Sequence, residues 1–179
     1  MKFELSPDIS LSEGEYRLTG HLGFRKFPAM YYGRVNESFI EERYTPQSTY
    51  VNLSMQKRVG PHLTAGCTVT YSDRRMIAVE RGGVLGAGEI LGSRGGVTSG
   101  TGVSLTLDER DNSFFPSLGR YYEGSYTAYR TMLGSDYTFN RWKADFRDYY
   151  PVGASQVIAV QRYVSIVEGD APFYELPTF

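Results

Sequence analysis

The stretch "YTFNRWKADFRDYY", residues 137–150, alternates apolar and charged side chains more sharply than any other part of the chain. In an extended strand, Trp142, Ala144 and Phe146 share one face. The opposite face carries four charges in a row: Arg141, Lys143, Asp145 and Arg147. This period of two predicts a β-strand between two environments, either lipid and a water-filled lumen or a protein core and solvent. In the first case the four charges face the lumen, where we expect them to form a charged network.

The same period recurs along the chain, while helical periodicity is almost absent. On residues 156–167, for example, an apolar stripe of alternate residues is interrupted only by Arg162. The pattern predicts an all-β fold, an antiparallel meander of about eight long strands. We place these strands near residues 2–9, 14–27, 48–59, 62–74, 99–109, 119–131, 137–150 and 155–168.

The predicted connections alternate between short and long. Tight turns follow the third, fifth and seventh strands, whereas long excursions at residues 28–47 and 75–98 follow the second and fourth. A short link at 132–136 is the exception. Outer-membrane barrels have short periplasmic turns, longer extracellular loops and strands of at least about nine residues. The spacing therefore favours a transmembrane β-barrel over a soluble sandwich.

Composition sets the outer limits. The chain has 179 residues, enough for one domain, and a net charge of −1, so it has no basic surface typical of nucleic-acid binding. No apolar run approaches the length of a membrane-spanning helix. The first ten residues, MKFELSPDIS, lack the basic and apolar regions of a signal peptide. The single cysteine, Cys67, cannot form a disulfide within the chain.

A dense charged cluster ends the predicted fifth strand, in the stretch "LDERDNSFFPSLGRYYEGSY" at residues 107–126. Its carboxylates have the chemistry for acid–base catalysis, but charged residues at a strand end also close turns by binding backbone amides. We favour a periplasmic turn, with the two phenylalanines at the membrane edge and the glycine starting the return strand. The turn motif comprises Asp108, Arg110, Asp111, Asn112, Phe114, Phe115, Pro116 and Gly119.

No other pattern predicts catalysis. His21 and His62 have no second histidine or cysteine at metal-ligand spacing. The glycine-rich run at residues 82–100 lacks the Gly-Lys-Ser/Thr ending of a phosphate-binding loop, which favours a flexible surface loop. We therefore expect neither enzyme activity nor a cofactor nor a metal.

The stretch "LDERDNSFFPSLGRYYEGSY" resembles the strand–turn–strand segment of the BamA/TamA family, in the bacterial surface antigen superfamily of outer-membrane barrels. "LGSDYTFNRWKADFRDYYPVG" is similar to the following hairpin, and "FPAMYYGRVN" and "YTPQSTYVNLSMQKRV" to preceding segments. "VEGDAPFYELPTF" resembles the approach to that family's large inward-folded loop. Four residues mark this loop approach here: Gly169, Pro172, Phe173 and Tyr174.

The resemblance implies part of a 16-stranded transmembrane barrel in the bacterial outer membrane. Its members catalyse no bond chemistry; they insert and fold other barrel proteins or translocate polypeptides. The implied partners are outer-membrane lipids, unfolded outer-membrane proteins and assembly lipoproteins. We expect residues 1–179 to be a partial barrel domain, a central fragment without the family's periplasmic POTRA modules, signal peptide, Arg-Gly-Phe/Tyr loop motif and final strands.

Two alternatives stay open on the sequence. One is a passive outer-membrane anchor of a larger protein. The other is a soluble β-rich binding module that uses its aromatic surface.

Overall fold

A computed structural model of the chain describes residues 1–35, 38–153 and 156–177, and strands account for most of them. The prediction of an all-β fold is confirmed. The ten strands are β1 (Lys2–Leu5), β2 (Asp8–Leu11), β3 (Tyr16–Lys26), β4 (Ala29–Val35), β5 (Ser38–Arg58), β6 (Leu63–Val79), β7 (Gly95–Asp108), β8 (Gly119–Tyr129), β9 (Phe139–Val152) and β10 (Gln156–Gly169).

All ten strands belong to one antiparallel sheet with eight rows. Both β1 and β2 pair with β3, while β3 and β4 pair with successive parts of β5, so each of these two pairs forms one interrupted row. From β5 onward each strand pairs with the next one in the chain, through β10. The sheet does not close: among the described residues, the outer edges of the first row and of β10 have no strand partner. This open meander confirms the prediction of a partial barrel.

One predicted loop is wrong. Residues 28–47, expected to be a long excursion, instead include β4 and the first part of β5, which pair with each other; residues 36–37 lie outside the described residues. Pro46 concealed this strand, because proline cannot donate a hydrogen bond to a sheet. It is accommodated beside a register shift in the pairing of β5 with β6, where the partner on the other side changes from β4 to β3.

The second predicted excursion, residues 75–98, is shorter than expected because β6 continues to Val79 and β7 begins at Gly95. The connection contains a single helical turn, α1 (Val84–Ala87). In the ranges that the structure covers, no helix combines the length and apolar character needed to cross a membrane.

The two faces of the sheet differ in chemistry. Large apolar side chains are exposed along the outer face, for example Leu53, Val69, Val103, Trp142 and Ile166. Cross-strand pairing puts them in one layer, since Leu53 pairs with Val69 and Trp142 with Ile166. An exposed apolar surface that crosses every row is what a lipid-facing wall requires, and soluble monomers rarely leave one uncovered.

The inner face is polar and encloses a space of about 630 Å³. Its lining is mostly serine, threonine, asparagine and charged side chains, with residues from β1 to β9. The apolar core is correspondingly small: among the described residues, the buried hydrophobic side chains are Leu85, Tyr129, Phe139 and Ala171. Stability therefore depends on the hydrogen-bonded ladder and on covering the outer face.

The open edges generate the first prediction. A polypeptide of these 179 residues alone should not form a stable monomer in detergent, because two unpaired strand edges leave backbone groups unsatisfied in an apolar environment. The measurement is size-exclusion chromatography together with heat modifiability on a semi-native gel.

A closed eight-stranded outer-membrane barrel in the same detergent is the control and should run as a heat-modifiable monomer. A monodisperse, heat-modifiable monomer of the 179-residue chain would show that the edges are tolerated.

Candidate functional site

The turn between β7 and β8 is organised by side chains that bind its backbone. The Asp111 carboxylate accepts hydrogen bonds from the backbone nitrogens of Asn112 and Ser117 at 2.9 Å and of Leu118 at 3.2 Å. The Ser117 hydroxyl donates to its second oxygen at 2.8 Å. The Asn112 side-chain oxygen accepts from the backbone nitrogens of Phe114 and Phe115. These two acceptors replace the ladder that the turn interrupts.

Beside this turn, Asp108 and Arg110 form a two-pronged ion pair. The Arg110 Nε and Nη2 atoms donate to the two carboxylate oxygens of Asp108 at 2.8 and 2.7 Å. The guanidinium of Arg110 also lies 4.7 Å from the centre of the Tyr121 ring. The hydrogen bonds to Asp108 raise the pKa of Arg110. This pairing consumes the groups that acid–base catalysis would need, so the geometry supports a structural role.

Gly119 restarts the sheet in a conformation that other residues rarely adopt. Its φ is +104°, and a Cβ atom there would lie 2.1 Å from the carbonyl oxygen of Glu109. Phe114 and Phe115 are 87% and 84% exposed in the turn, and Pro116 follows them. The sequence-predicted turn residues thus lie together at one end of the sheet.

The four charged residues of β9 face inward but form separate groups. The Arg147 side chain donates to Asp145, with Nε at 3.0 Å, and the Gln161 amide donates to the same carboxylate at 3.0 Å. Arg141 bonds instead to Glu175, beyond the end of β10. Within the described part of the chain, Lys143 makes no ion pair and lines the open space. The structure therefore shows no single network that includes all four.

Beyond β10, residues 170–177 cross the inner face, and we call them the inner segment. Gly169 makes the bend, with φ of +98°. The backbone nitrogen of Asp170 then donates to the Thr138 carbonyl at 3.0 Å, and that of Phe173 donates to the Leu91 carbonyl at 3.0 Å. The chain consequently leaves the wall and enters the concavity.

Aromatic and charged contacts hold the inner segment against distant strands. The Phe173 ring packs edge-on against Tyr31 of β4 and Tyr44 of β5, with centroids 5.2 and 5.5 Å apart. The guanidinium of Arg74 in β6 lies 4.0 Å from the centre of the Tyr174 ring. The segment thus connects the last row to rows near the start of the sheet.

The strongest polar contact of the inner segment is with Arg141. The Nη2 atom of Arg141 donates to the Glu175 carboxylate at 2.5 Å and to its backbone carbonyl at 2.7 Å. The side chains of Arg141 and Glu175 are only 16% and 15% exposed. Charged hydrogen bonds shielded from bulk water contribute more than exposed ion pairs do.

The base of the inner segment packs on the small apolar cluster. Tyr129 and Phe139 stack with their centroids 4.0 Å apart, and Ala171 packs against them. Pro172 is fully buried and approaches Gly92 so closely that a Cβ atom on Gly92 would lie 2.5 Å from the proline Cβ. Of the sequence-predicted loop-approach residues, Gly169 therefore bends the chain and Pro172, Phe173 and Tyr174 contact the interior.

The glycine-rich run at residues 82–100 has defined contacts in the structure. The Glu42 carboxylate accepts hydrogen bonds from the backbone nitrogens of Val84 and Leu85 at 2.6 and 3.0 Å, at the start of α1. Gly83 allows this approach, because a Cβ there would lie 2.4 Å from the carboxylate. The end of the run belongs to β7. A carboxylate thus occupies the helix start, where phosphate would bind in a nucleotide site.

The histidines do not gather with other ligands. The His21 Nδ1 atom lies 3.1 Å from the Ser6 hydroxyl, and the His62 Nδ1 atom lies 3.1 Å from the Asp108 carbonyl oxygen. Across the described ranges, no group of three or more His, Cys, Asp or Glu side chains is arranged to hold a metal ion. The polar inner face and its crossing segment are the candidate functional site.

The family assignment agrees with this geometry. The model of the Omp85 superfamily domain matches residues 7–176, which is nearly the whole chain and includes most of the inner segment. The chain belongs to the Omp85 superfamily. No curated protein matches it. The family is one of outer-membrane proteins that act in protein insertion or translocation, as the sequence resemblance implies.

Sequence reasoning missed the partners of the inner segment. Arg74, Tyr31 and Tyr44 come from strands far from residue 170 in the chain, so no local pattern connects them with Phe173 or Tyr174. The only indication in the sequence was the alternation of the two faces along the strand, which puts Arg74 on the inner face together with Thr70 and Ser72.

Replacing Asp111 with alanine should impair folding or lower barrel stability, because four donors at the turn lose their acceptor. The contribution of Asp111 to stability should depend on pH in a defined range. Hydrogen bonds from Ser117 and the turn backbone lower the pKa of Asp111 to about 2. Its contribution is complete above the ordinary pKa of about 4 and is lost as the pH falls through about 2.

Thermal unfolding of wild type and Asp111→Ala between pH 6 and pH 2, in the complete barrel, measures this effect. The stability difference between them should shrink as the pH falls from about 4 to about 2. A constant difference over that range would contradict the assignment.

Arg141→Gln should detach the inner segment. The free energy of unfolding should fall by about 1.5–3 kcal/mol, the usual contribution of hydrogen bonds to charged groups, and protease cleavage within residues 170–177 should accelerate. Urea unfolding and limited proteolysis of the complete barrel measure the two effects.

Lys143→Gln is the matched control, since it removes the neighbouring charge on the same face and strand. Its effect on stability should stay within about 0.5 kcal/mol. Equal effects of the two substitutions would mean that the contact with Glu175 does not hold the segment.

Proposed function

We propose that residues 1–179 form about half of a 16-stranded barrel of the BamA/TamA kind in the bacterial outer membrane. In this proposal the barrel serves the insertion of other outer-membrane proteins or the translocation of polypeptides. The observation that carries it is a family match over residues 7–176 on a chain whose polar inner face is crossed by its own segment.

The dimensions of the wall support a transmembrane position. A strand of 14 residues, the length of β7, β9 and β10, tilted at about 40° rises about 35 Å, enough to cross the hydrocarbon layer. The apolar outer face supplies the surface that lipid contacts. The connection at 59–62 is short, as periplasmic turns are, and it lies at the same end of the sheet as the turn at 109–118, so we assign that end to the periplasm.

The inner face suits a polypeptide path better than a passive pore. Its lining offers hydroxyl and amide groups together with charges of both signs, including Lys2, Glu123 and Lys143. Such a surface can exchange hydrogen bonds with an extended chain without holding it tightly. The inner segment narrows the passage through contacts that are polar or aromatic, and we propose that it controls access to the lumen.

The partners proposed on this basis are outer-membrane lipids, unfolded outer-membrane proteins and assembly lipoproteins. The function needs no bond chemistry, cofactor or metal. A passive anchor of a larger protein has the same wall and differs only in lacking activity toward clients.

Reconstitution tests the proposal. The complete barrel that contains this chain, placed in liposomes, should accelerate the folding of an added urea-unfolded barrel protein by about tenfold, which corresponds to about 1.4 kcal/mol of barrier. The measurement is the appearance of the heat-modifiable client over time.

Liposomes that carry an equal mass of a passive barrel are the control. Folding at the control rate, together with no polypeptide transport into the liposomes, would favour the anchor. Recovery of the protein in the aqueous phase without detergent would favour a soluble binding module.

A further inference from the structure

A charged network lies on the outer face of the sheet, where apolar residues are otherwise the rule. Arg162 interrupts the outward apolar stripe of β10, between Val160 and Val164. Its Nη2 atom donates to the Asp148 carboxylate at 2.5 Å, and the Tyr122 hydroxyl donates to the other oxygen of Asp148 at 2.7 Å. The network therefore links β8, β9 and β10 across the surface that faces lipid.

A second arginine lies beside the first. Arg120 pairs directly with Asp148 in the β8–β9 register, and its Nε atom donates to Glu109 at 2.5 Å. The guanidinium lies 5.8 Å from the centre of the Tyr122 ring. The guanidinium of Arg162 lies 5.9 Å from the centre of the Phe146 ring, which packs against Tyr122, so each arginine lies beside one ring of this aromatic pair.

The network exposes its cations more than its anions. Side-chain exposure is 62% for Arg162 and 50% for Arg120, against 11% for Asp148 and 34% for Glu109. Among the described residues, each arginine uses one nitrogen in a hydrogen bond, which leaves several of its five N–H donors to the surroundings. An anion approaching from outside therefore meets donors first.

The network lies toward the turn end of the apolar wall, where Ile158 and Val160 continue the wall beyond Arg162. Gly119, the residue next to Arg120, pairs with Tyr149 at the base of the 109–118 turn. In the other direction the outward positions are also apolar, with Trp142, Val164 and Ile166. A long arginine side chain can extend to the headgroup layer while its stem stays beside hydrocarbon.

A shallow groove lies in the apolar wall, separated from the arginines by the ring pair of Tyr122 and Phe146. Gly124 and Ala144 pair directly across β8 and β9, and a Cβ atom on Gly124 would meet nothing within 4 Å. Aromatic pairs bound the groove at either end: Tyr122 with Phe146 and Tyr126 with Trp142. The floor of the groove consists of small residues with open space above them, so an acyl chain can lie along it.

We propose that this outer surface is a binding site for a glycerophospholipid of the periplasmic leaflet. The phosphodiester binds between Arg120 and Arg162, and one acyl chain lies in the groove over Gly124 and Ala144. Asp148 is the positioning residue, because it holds Arg162 and Tyr122 in place. The site rests on the proposed outer-membrane location and is independent of activity toward client proteins.

Native mass spectrometry of the complete barrel tests the site, with phosphatidylethanolamine and phosphatidylglycerol as titrants. The double substitution Arg120→Gln with Arg162→Gln should weaken binding of both lipids by about tenfold or more, since charged bidentate contacts to phosphate are lost. Arg25→Gln is the matched control, because it removes one arginine from the inner face. It should bind as wild type does.

Two further measurements test which parts of the lipid are bound. Diacylglycerol with the same acyl chains lacks the phosphate and should bind wild type about tenfold more weakly. Inorganic phosphate at millimolar concentration should not displace the phospholipid, because it lacks the chains that fill the groove. Equal binding of diacylglycerol, displacement by inorganic phosphate, or undiminished binding by the double variant would each overturn the proposal.

A third variant covers the case in which the double substitution prevents folding. Gly124→Leu keeps every charge and fills the groove, and it should weaken long-chain lipids several-fold while leaving a short-chain phospholipid unaffected. Unchanged binding of both lipids would overturn the assignment of the groove. Client folding in liposomes is measured separately, so a lipid site can persist where the assembly activity fails.

Discussion

Backbone hydrogen bonding between sequence neighbours is the constraint on which the whole structure depends. Each of the eight rows pairs with the next, so the chain satisfies its peptide groups without a long crossover. Once the rows are paired, the period of two places every second side chain on the same face. The apolar outer surface and the polar concavity are therefore two consequences of one ladder, which among the described residues is incomplete only at the two open edges.

A concave polar face cannot be held in shape by an apolar core. The contacts of the inner segment with distant strands stabilise its shape instead. Its contacts use groups that tolerate a wet interior: aromatic rings in edge contact, a guanidinium over a ring and a shielded ion pair. They join β4, β5, β6 and β9 to the inner segment that follows β10, and of these four strands only β9 pairs with β10 in the sheet. Curvature of the wall is thus linked to the position of a segment inside it.

The sequence predicts the paired strands well and the long-range side-chain contacts poorly, for a physical reason. Alternation such as that around Trp142 is local, so the strands and their faces can be assigned from neighbouring residues. The pairing of β4 with β5 was missed because Pro46 interrupts the pattern at a point where the strand changes partner. The contacts of Glu42 with α1 and of Arg74 with Tyr174 depend on register over dozens of residues, and short-range patterns carry no information about it. The turn at 109–118 lies between these cases, since its acceptors and donors are adjacent in the chain.

Arg162 interrupts the outward apolar stripe of β10, and the energetic cost of this interruption depends on how deep the side chain lies in the membrane. In the middle of a lipid-facing wall an arginine is costly, and barrels tolerate one there at a penalty that falls to nearly zero toward the interface. Arg162 is the seventh of the fourteen residues of β10, and its side chain extends toward the turn end to contact Asp148, which pairs with Arg120 across β8 and β9. Each arginine has one carboxylate partner, Asp148 for Arg162 and Glu109 for Arg120, and in a purely structural pair both partners would be equally shielded. Here two arginines point outward while Asp148 is almost covered, and this asymmetry favours a surface that also receives an anion from the membrane.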